Sequence, residues 1–183
     1  FTPVKVENVI SKDIHNIVYK YFKYNIKNNV YPFGDRQSKR YKIIDETLTR
    51  LLHLEFLPLI ERIVGKKMKP TYTYLSCYVK GSDLPAHTDR AECEYTCSYI
   101  IGKPKDTTWN IYVHKVKQPV KYKGRYAKFD NGDPGYTPPK DECIAVVCEE
   151  NGLMIFNGTD HIHFREPLEH DYYNVVLLHY CTE

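Results

Sequence analysis

Apolar and polar positions recur along this chain with two different periods, and the change of period divides it. Ser11 and Asp13 precede Ile14, Ile17, Val18, Tyr21 and Phe22, whose 3-1-3-1 spacing draws one apolar face and predicts a helix with a polar cap ahead of it. Asp45 is expected to open a second helix. Its buried side would carry Leu48, Leu51, Leu52, Phe56, Leu59, Ile60 and Ile63, and Gly65 with Lys66 and Lys67 would end it. Pro58 falls inside that pattern. It has no amide hydrogen and its ring crowds the preceding turn, so it should kink the helix or split it in two.

After Pro70 the period shortens to two. Runs rich in Tyr, Val, Ile and Thr cover 71–80, 94–101, 109–115, 143–148, 152–157, 161–165 and 173–180, with Gly, Pro, Asp and Asn between them. Short alternating runs of this kind predict an antiparallel all-β sandwich or barrel, with the helices lying against the outside of one sheet. Two connections stand out: 29–42, with Pro32, Gly34, Asp35 and Arg36, and 116–141, rich in Gly and Pro. Connections of that length in a compact domain are expected to serve as lids or binding loops.

Composition narrows the picture. At 183 residues the chain suits one domain with a real core, a helical support region over 1–69 and a β core over 70–183. Apolar residues at 42% and charged residues at 27% exclude a disordered polymer. Lys+Arg 26 against Asp+Glu 23 leaves +3, too mild a charge to point to nucleic acid. No apolar stretch approaches a membrane span and no signal-peptide core opens the chain. It begins at Phe1 rather than Met, so a start lost ahead of it, leader included, stays open. Cys77, Cys93, Cys97, Cys143, Cys148 and Cys181 contain no CxxC pair, which removes zinc-finger spacing; they read as reduced thiols of a cytosolic protein. The count of 17 tyrosines suits strands and a pocket wall.

Two constellations could carry chemistry. In an extended segment residues two apart share a face, so His87 and Asp89 can grip one ion. An imidazole and a carboxylate are two thirds of the facial triad that holds non-haem iron(II) with open positions for substrate and dioxygen. Alone, such a pair is a common accident. The second constellation is His161-Ile-His163-Phe-Arg165, where alternation puts two imidazoles and a guanidinium on one face. Either histidine could supply the missing third ligand; otherwise the run is a solvated face or one satisfied core histidine. Among the remaining residues, Arg90 reads as a salt-bridge partner of Glu92 or Glu94 or as a substrate contact. Trp109, Ile111 and Val113 read as core, and Asn110 or Tyr112 as a pocket candidate. Lys39-Arg40 and Lys66-Lys67 read as surface, and His179 and Tyr180 as packing.

The order Tyr78-x-x-Gly81-(x)5-His87-x-Asp89, then a strand bearing Thr96, then Gly152-x-x-x-Phe156 and a distal His before Pro167, resembles the iron(II)/2-oxoglutarate-dependent dioxygenases, in particular the prolyl-4-hydroxylase-like group. The strings His87-Thr-Asp89-Arg90, Cys93-Glu94, His163-Phe-Arg165-Glu166 and Leu178-His179-Tyr180 are similar to a branch that reads HxDR, CE and HWRE…LHY, and the likeness covers about residues 70–181. The resemblance implies a mainly β fold with N-terminal helices, built on a double-stranded β-helix (a jelly-roll, cupin-like core). It implies a hydroxylase that couples decarboxylation of 2-oxoglutarate to oxidation of a peptidyl-prolyl or small-molecule substrate, using Fe(II) and O2, with ascorbate as an accessory reductant. His87, Asp89 and His163 would be the catalytic iron ligands, His163 preferred over His161 because the family's distal histidine stands four residues before a proline. Tyr78 and Thr96 stand where relatives contact the cosubstrate.

One position departs from the pattern. The family places Arg or Lys ten residues after the distal histidine to hold the far carboxylate of 2-oxoglutarate, and here that position is Tyr173. A buried carboxylate left without a cation costs several kcal/mol, on the order of 3 or more. Arg165, on the face of His163, is the expected substitute, with Tyr173 adding a hydroxyl and Lys115 in reserve. The departure also leaves two rival readings: a cupin-like mononuclear metal enzyme that uses no oxoacid, and a non-catalytic β-sandwich that binds a ligand.

Overall fold

The computed structural model describes residues 1–35, 37–118 and 136–183. Among them the order is β1 (Val4–Val6), α1 (Lys12–Lys27), β2 (Arg40–Ile44), α2 (Thr47–Val64), β3 (Met68–Val79), β4 (Leu84–His87), β5 (Tyr95–Gly102), β6 (Ile111–His114), β7 (Cys143–Val146), β8 (Leu153–Asn157), β9 (His163–Arg165) and β10 (Tyr172–Thr182). The strands make a larger sheet ordered β1-β8-β5-β10-β3-β2 and a smaller one ordered β4-β9-β6-β7. All pairings are antiparallel. Two facing sheets with the helices outside the larger one are the double-stranded β-helix that the resemblance implied.

Alternation along the strands splits the core in two. One face of the larger sheet turns Cys97, Tyr99, Leu153, Ile155, Val176, Leu178 and Tyr180 toward Val18 and Phe22 of α1 and Leu52, Phe56 and Ile60 of α2. The other turns Ile100, Met154, Phe156, Tyr173 and Val175 toward Trp109, Ile111, Val113 and Val146 of the smaller sheet. Burying each large apolar side chain contributes about 1.5–3 kcal/mol, so both layers hold the sheets in register.

The helices depart from the expected detail. α1 is capped by Ser11, whose side chain accepts from Ile14 N, but it buries His15, Val18 and Phe22. Ile14 and Ile17 are 52% and 66% exposed. Two apolar lines run along this helix, and contact with β5, where His15 Nδ1 meets Tyr99 Oη at 2.6 Å, chooses between them. The second helix is capped by Glu46, not Asp45: Asp45 has a left-handed backbone, φ 51°, and its carboxylate accepts from Thr73 N. α2 runs unbroken through Pro58 to Gly65, whose φ of 74° closes it in a conformation glycine adopts without strain. The hydrogen bond Pro58 removes costs about 3 kcal/mol, which burial of the neighbouring Phe56 and Ile60 can offset. Leu51, expected inside, faces solvent.

Three strands were not anticipated. β1 and β2 lie within 1–69 and extend both edges of the larger sheet, so that region is more than helical support. β4 carries the first ligand candidate to the edge of the smaller sheet. Conversely, the run 161–165 narrows to β9, His163–Arg165. The lid expected over 116–141 falls largely on 119–135, outside the described residues. All six cysteines are free thiols, five of them buried. Among the described residues no helix is long and apolar enough to cross a membrane.

Candidate metal centre

β4 and β9 pair with His87 opposite His163, which sets the two imidazoles side by side with ring centroids 4.3 Å apart. Two residues past His87, the chain bonds to the β8 end through Asp89 N to Gly158 O, 2.8 Å, and the Asp89 carboxylate swings between the rings. Asp89 Oδ1 stands 3.4 Å from His87 Nε2 and 3.5 Å from His163 Nε2. One ligand atom from each of the three residues lies within 4.8 Å of the others. A Cβ at Gly158 would collide with Asp89 Oδ2, so an alanine there would force the carboxylate to move.

The hydrogen bonds around this group decide its chemistry. His87 Nδ1 donates to Pro85 O at 2.7 Å and His163 Nδ1 donates to His161 O at 3.0 Å. A carbonyl can only accept, so both Nε2 atoms are left with lone pairs pointed inward, the state a metal requires. Thr96 Oγ1 donates to Asp89 Oδ2 at 2.6 Å, which leaves Oδ1 for an ion. Burial alone would raise the Asp89 pKa, but His163 and His87 outweigh it and hold the carboxyl well below the usual range. Burial, with the like-charged His163 beside it, pushes His87 down, toward the neutral ligating form. Two imidazoles and one carboxylate on one side of a cavity fit a divalent ion with open positions.

The cavity in front of them measures about 100 Å³ and is walled by Leu84, Ile111, Phe156, Val175 and Leu177. Arg165, Tyr78 and Thr96 also line it. The Arg165 guanidinium lies over Trp109, 4.5 Å from the ring centre, and 5.4 Å from the ring centre of Tyr173; its Nη1 donates to Trp109 O. Arg165 is 4% exposed, and among the described residues no carboxylate lies within ion-pair reach of it. Among the described residues the buried Tyr173 hydroxyl has no partner at good hydrogen-bond geometry, the nearby Arg165 guanidinium being its nearest donor, and burial lifts its pKa to about 12. The guanidinium of β9 thus reaches the side chain at the position where the family carries its cation.

Other residues fall elsewhere. His161 precedes β9 and turns away, its Nδ1 donating to His114 O at 2.9 Å, so it is not in the ligand group. Lys115 is exposed, and its Nζ donates to Asp141 O. Arg90 lines the cavity and donates to Tyr72 Oη at 2.8 Å. Glu94 instead binds Thr182. Asn110 and Tyr112 lie outside the cavity of the His87 group and line a separate one, with Tyr112 stacked on Phe164.

Arg40 and His179 are among the participants that the sequence did not reveal. Arg40, expected at the surface, is 4% exposed and lines the cavity. Its Nε donates to Asp35 Oδ2 and its Nη1 to Tyr78 Oη, both at 2.7 Å. Nothing local marks it; only the pairing of β2 with β3 brings it in. His179, expected to be packing, lines the cavity, and its Nδ1 lies 3.1 Å from Thr96 Oγ1. Because Thr96 donates to Asp89, it accepts from His179, and a three-residue chain backs the carboxylate. Burial pushes His179 down to about 4. Alternation from the core residue Val175 through Leu177 to 179 would have found it.

No protein-family model matches the chain, and no curated protein sequence does. Solved structures do match. A Pseudomonas putida prolyl-4-hydroxylase is similar over 99% of this chain and 92% of its own, with a TM-score of 0.66 at 9% identity. The carbocyclase SnoK of nogalamycin biosynthesis, described as non-heme and alpha-ketoglutarate dependent, gives 0.72 over 97% and 79% at 12% identity. A Trichoplax adhaerens prolyl hydroxylase gives 0.65 over 97% and 83% at 15% identity. The fold is therefore that of the iron(II)/2-oxoglutarate oxygenases.

Proposed function

We propose that this protein is an iron(II)/2-oxoglutarate-dependent oxygenase, a hydroxylase that uses dioxygen on a peptidyl-prolyl or small-molecule substrate. The observation that carries the reading is the convergence of His87 Nε2, Asp89 Oδ1 and His163 Nε2, each freed for an ion by its own hydrogen bond. Iron(II) bound there supplies the redox chemistry that couples decarboxylation of 2-oxoglutarate to substrate oxidation, and no side chain offers it.

The chain's own residues bind and orient. Arg165 would hold the far carboxylate of the oxoacid through paired hydrogen bonds, with the Tyr173 hydroxyl as a second donor. Tyr78 accepts from Arg40, which leaves its own proton to donate into the cavity. Thr96, backed by His179, fixes the Asp89 carboxylate. Arg40, Arg90 and Arg165 line the cavity against Asp89, with Asp35 behind Arg40, so the site stays net positive and suits a dianion. Leu84, Ile111, Phe156, Val175 and Leu177 keep the reacting centre dry. Free thiols throughout fit a reducing, cytosolic setting.

Tyr173 is the argument for a cupin-like enzyme without an oxoacid, and the guanidinium against its ring is the answer to it. A non-catalytic sandwich gives no reason for three metal-donor atoms to meet in one cavity. The test is anaerobic protein with iron(II), to which 2-oxoglutarate is added: a charge-transfer absorption should appear, and succinate should form once air and ascorbate are admitted. Neither signal in folded protein overturns the reading; oxygen uptake without 2-oxoglutarate favours the cupin-like one.

A further inference from the structure

The segment leading into β2 is built with more care than a surface loop needs. Asp35 Oδ1 accepts from the backbone of Gln37 at 2.8 Å and of Ser38 at 2.7 Å, while its Oδ2 takes Arg40 Nε at 2.7 Å and Tyr74 Oη at 2.8 Å. Ser38 Oγ donates to Asp83 O at 2.6 Å, tying the segment to the residue before β4. The side chain this scaffold delivers to the cavity is Gln37.

Arg40 Nη2 donates to Gln37 Oε1 at 3.1 Å, so the amide oxygen is spoken for and the nitrogen faces away from the guanidinium. That nitrogen lies 3.2 Å from His87 Nε2. An amide NH2 has only protons to give, and His87 Nδ1 already donates to Pro85 O, so the contact is a Gln37 N–H donated to the lone pair of His87 Nε2. This is the lone pair that the proposed metal centre assigns to the ion, and one lone pair serves one partner.

We propose that Gln37 is a positioning residue that caps the ligating nitrogen of His87 and that an incoming divalent cation must displace. The cap keeps the imidazole oriented and its lone pair paired when no ion is there. In exchange it sets the metal affinity below what the three ligands alone would give. Through Arg40 and Asp35 it also ties the conformation of the segment before β2 to metal occupancy. The inference rests on the reading of His87, Asp89 and His163 as a metal centre.

The experiment is calorimetric titration of the intact protein with Mn(II), a redox-silent stand-in for iron(II), comparing wild type with Gln37→Ala and Gln37→Asn. Removing the cap should tighten Mn(II) binding about fivefold, the equilibrium equivalent of one ordinary hydrogen bond. Asparagine, one methylene shorter, should behave as alanine does. A residue that merely supported the site would move the affinity the other way, so weaker or unchanged binding in both variants overturns the proposal. Wild-type protein that binds no Mn(II) with its three ligands intact sinks the metal centre itself, an outcome distinct from the first.

Discussion

Two arginines, Arg40 and Arg165, are equally buried in the same cavity wall, each 4% exposed, and their surroundings could hardly differ more. Arg40 has its carboxylate: Asp35 meets it at 2.7 Å, and Ser76, Tyr78 and Gln37 take three of its other four protons. Burial works against its charge, but Tyr78, Asp35 and Tyr74 more than offset that, so its pKa is raised. Arg165 has aromatic faces and a backbone carbonyl, and no acid among the described residues. A buried guanidinium that is already neutralised is framework, whereas one that is not has desolvation still to recover from an anion. The difference separates the residue that builds the mouth of the site from the residue that would hold a carboxylate inside it.

The largest effect that tests this contrast is on stability. Arg40→Ala should cost about 3–5 kcal/mol in chemical denaturation, because it strands the Asp35 carboxylate in a buried network. Arg165→Met should leave the denaturation midpoint unchanged or raise it, since an unpaired charge gives way to an apolar chain of similar length. A matching loss in both variants would break the distinction. Next in size, Arg165→Met should weaken 2-oxoglutarate binding to Mn(II)-loaded protein on the order of 100-fold in titration calorimetry, the equivalent of one or two charged hydrogen bonds. Affinity within twofold of wild type would move the clamp elsewhere.

Smaller effects sharpen the comparison. Tyr173→Phe removes a buried hydroxyl with no well-aligned partner among the described residues, so the ligand-free protein should gain up to about 1 kcal/mol, while oxoacid affinity falls roughly fivefold. A loss of stability instead would mean that the hydroxyl is already satisfied. The smallest effect is a pH dependence. Burial would raise the Asp35 pKa, but Arg40 and the backbone at Ser38 outweigh it and hold it below its ordinary value. A carboxyl depressed in the folded state contributes stability above its unfolded pKa of about 3.9 and loses it as pH falls through the folded value. The gap between wild type and Arg40→Ala should therefore narrow as pH falls through the acid range in which Asp35 takes up a proton; a gap independent of pH would remove Asp35 from the account.

Much of the candidate site was legible because it depends on short spacings. His87 and Asp89 lie two apart in an extended segment, and His163 and Arg165 alternate on β9, so each pair shares a face wherever the strands end up. Thr96 and Tyr78 were legible only by resemblance, and Thr96 bonds to the Asp89 carboxylate. The stretch 29–42 was legible as a binding loop, but the roles of Gln37 and Arg40 within it were not. Gly34-Asp-Arg-Gln-Ser-Lys-Arg40 has the composition of a polar loop, and the burial of Ser38 and Arg40 arises because β2 adds to the edge of β3, some thirty residues further on. α1 failed in a different way. Its sequence offers two apolar lines, and periodicity does not say which one a sheet will cover.

What the sequence determined by itself was whatever neighbouring residues impose on one another: the helix caps at Ser11 and Gly65, the strand alternation after Pro70, and the facing of residues two apart on a strand. Tertiary structure decided which side chains from distant strands meet. The histidines of β4 and β9 are 76 residues apart in sequence (163 − 87), and only sheet pairing makes them neighbours. It also decided which charges become buried, because desolvation depends on what covers a residue rather than on what precedes it. The same guanidinium chemistry at positions 40 and 165 acquires two different roles for that reason.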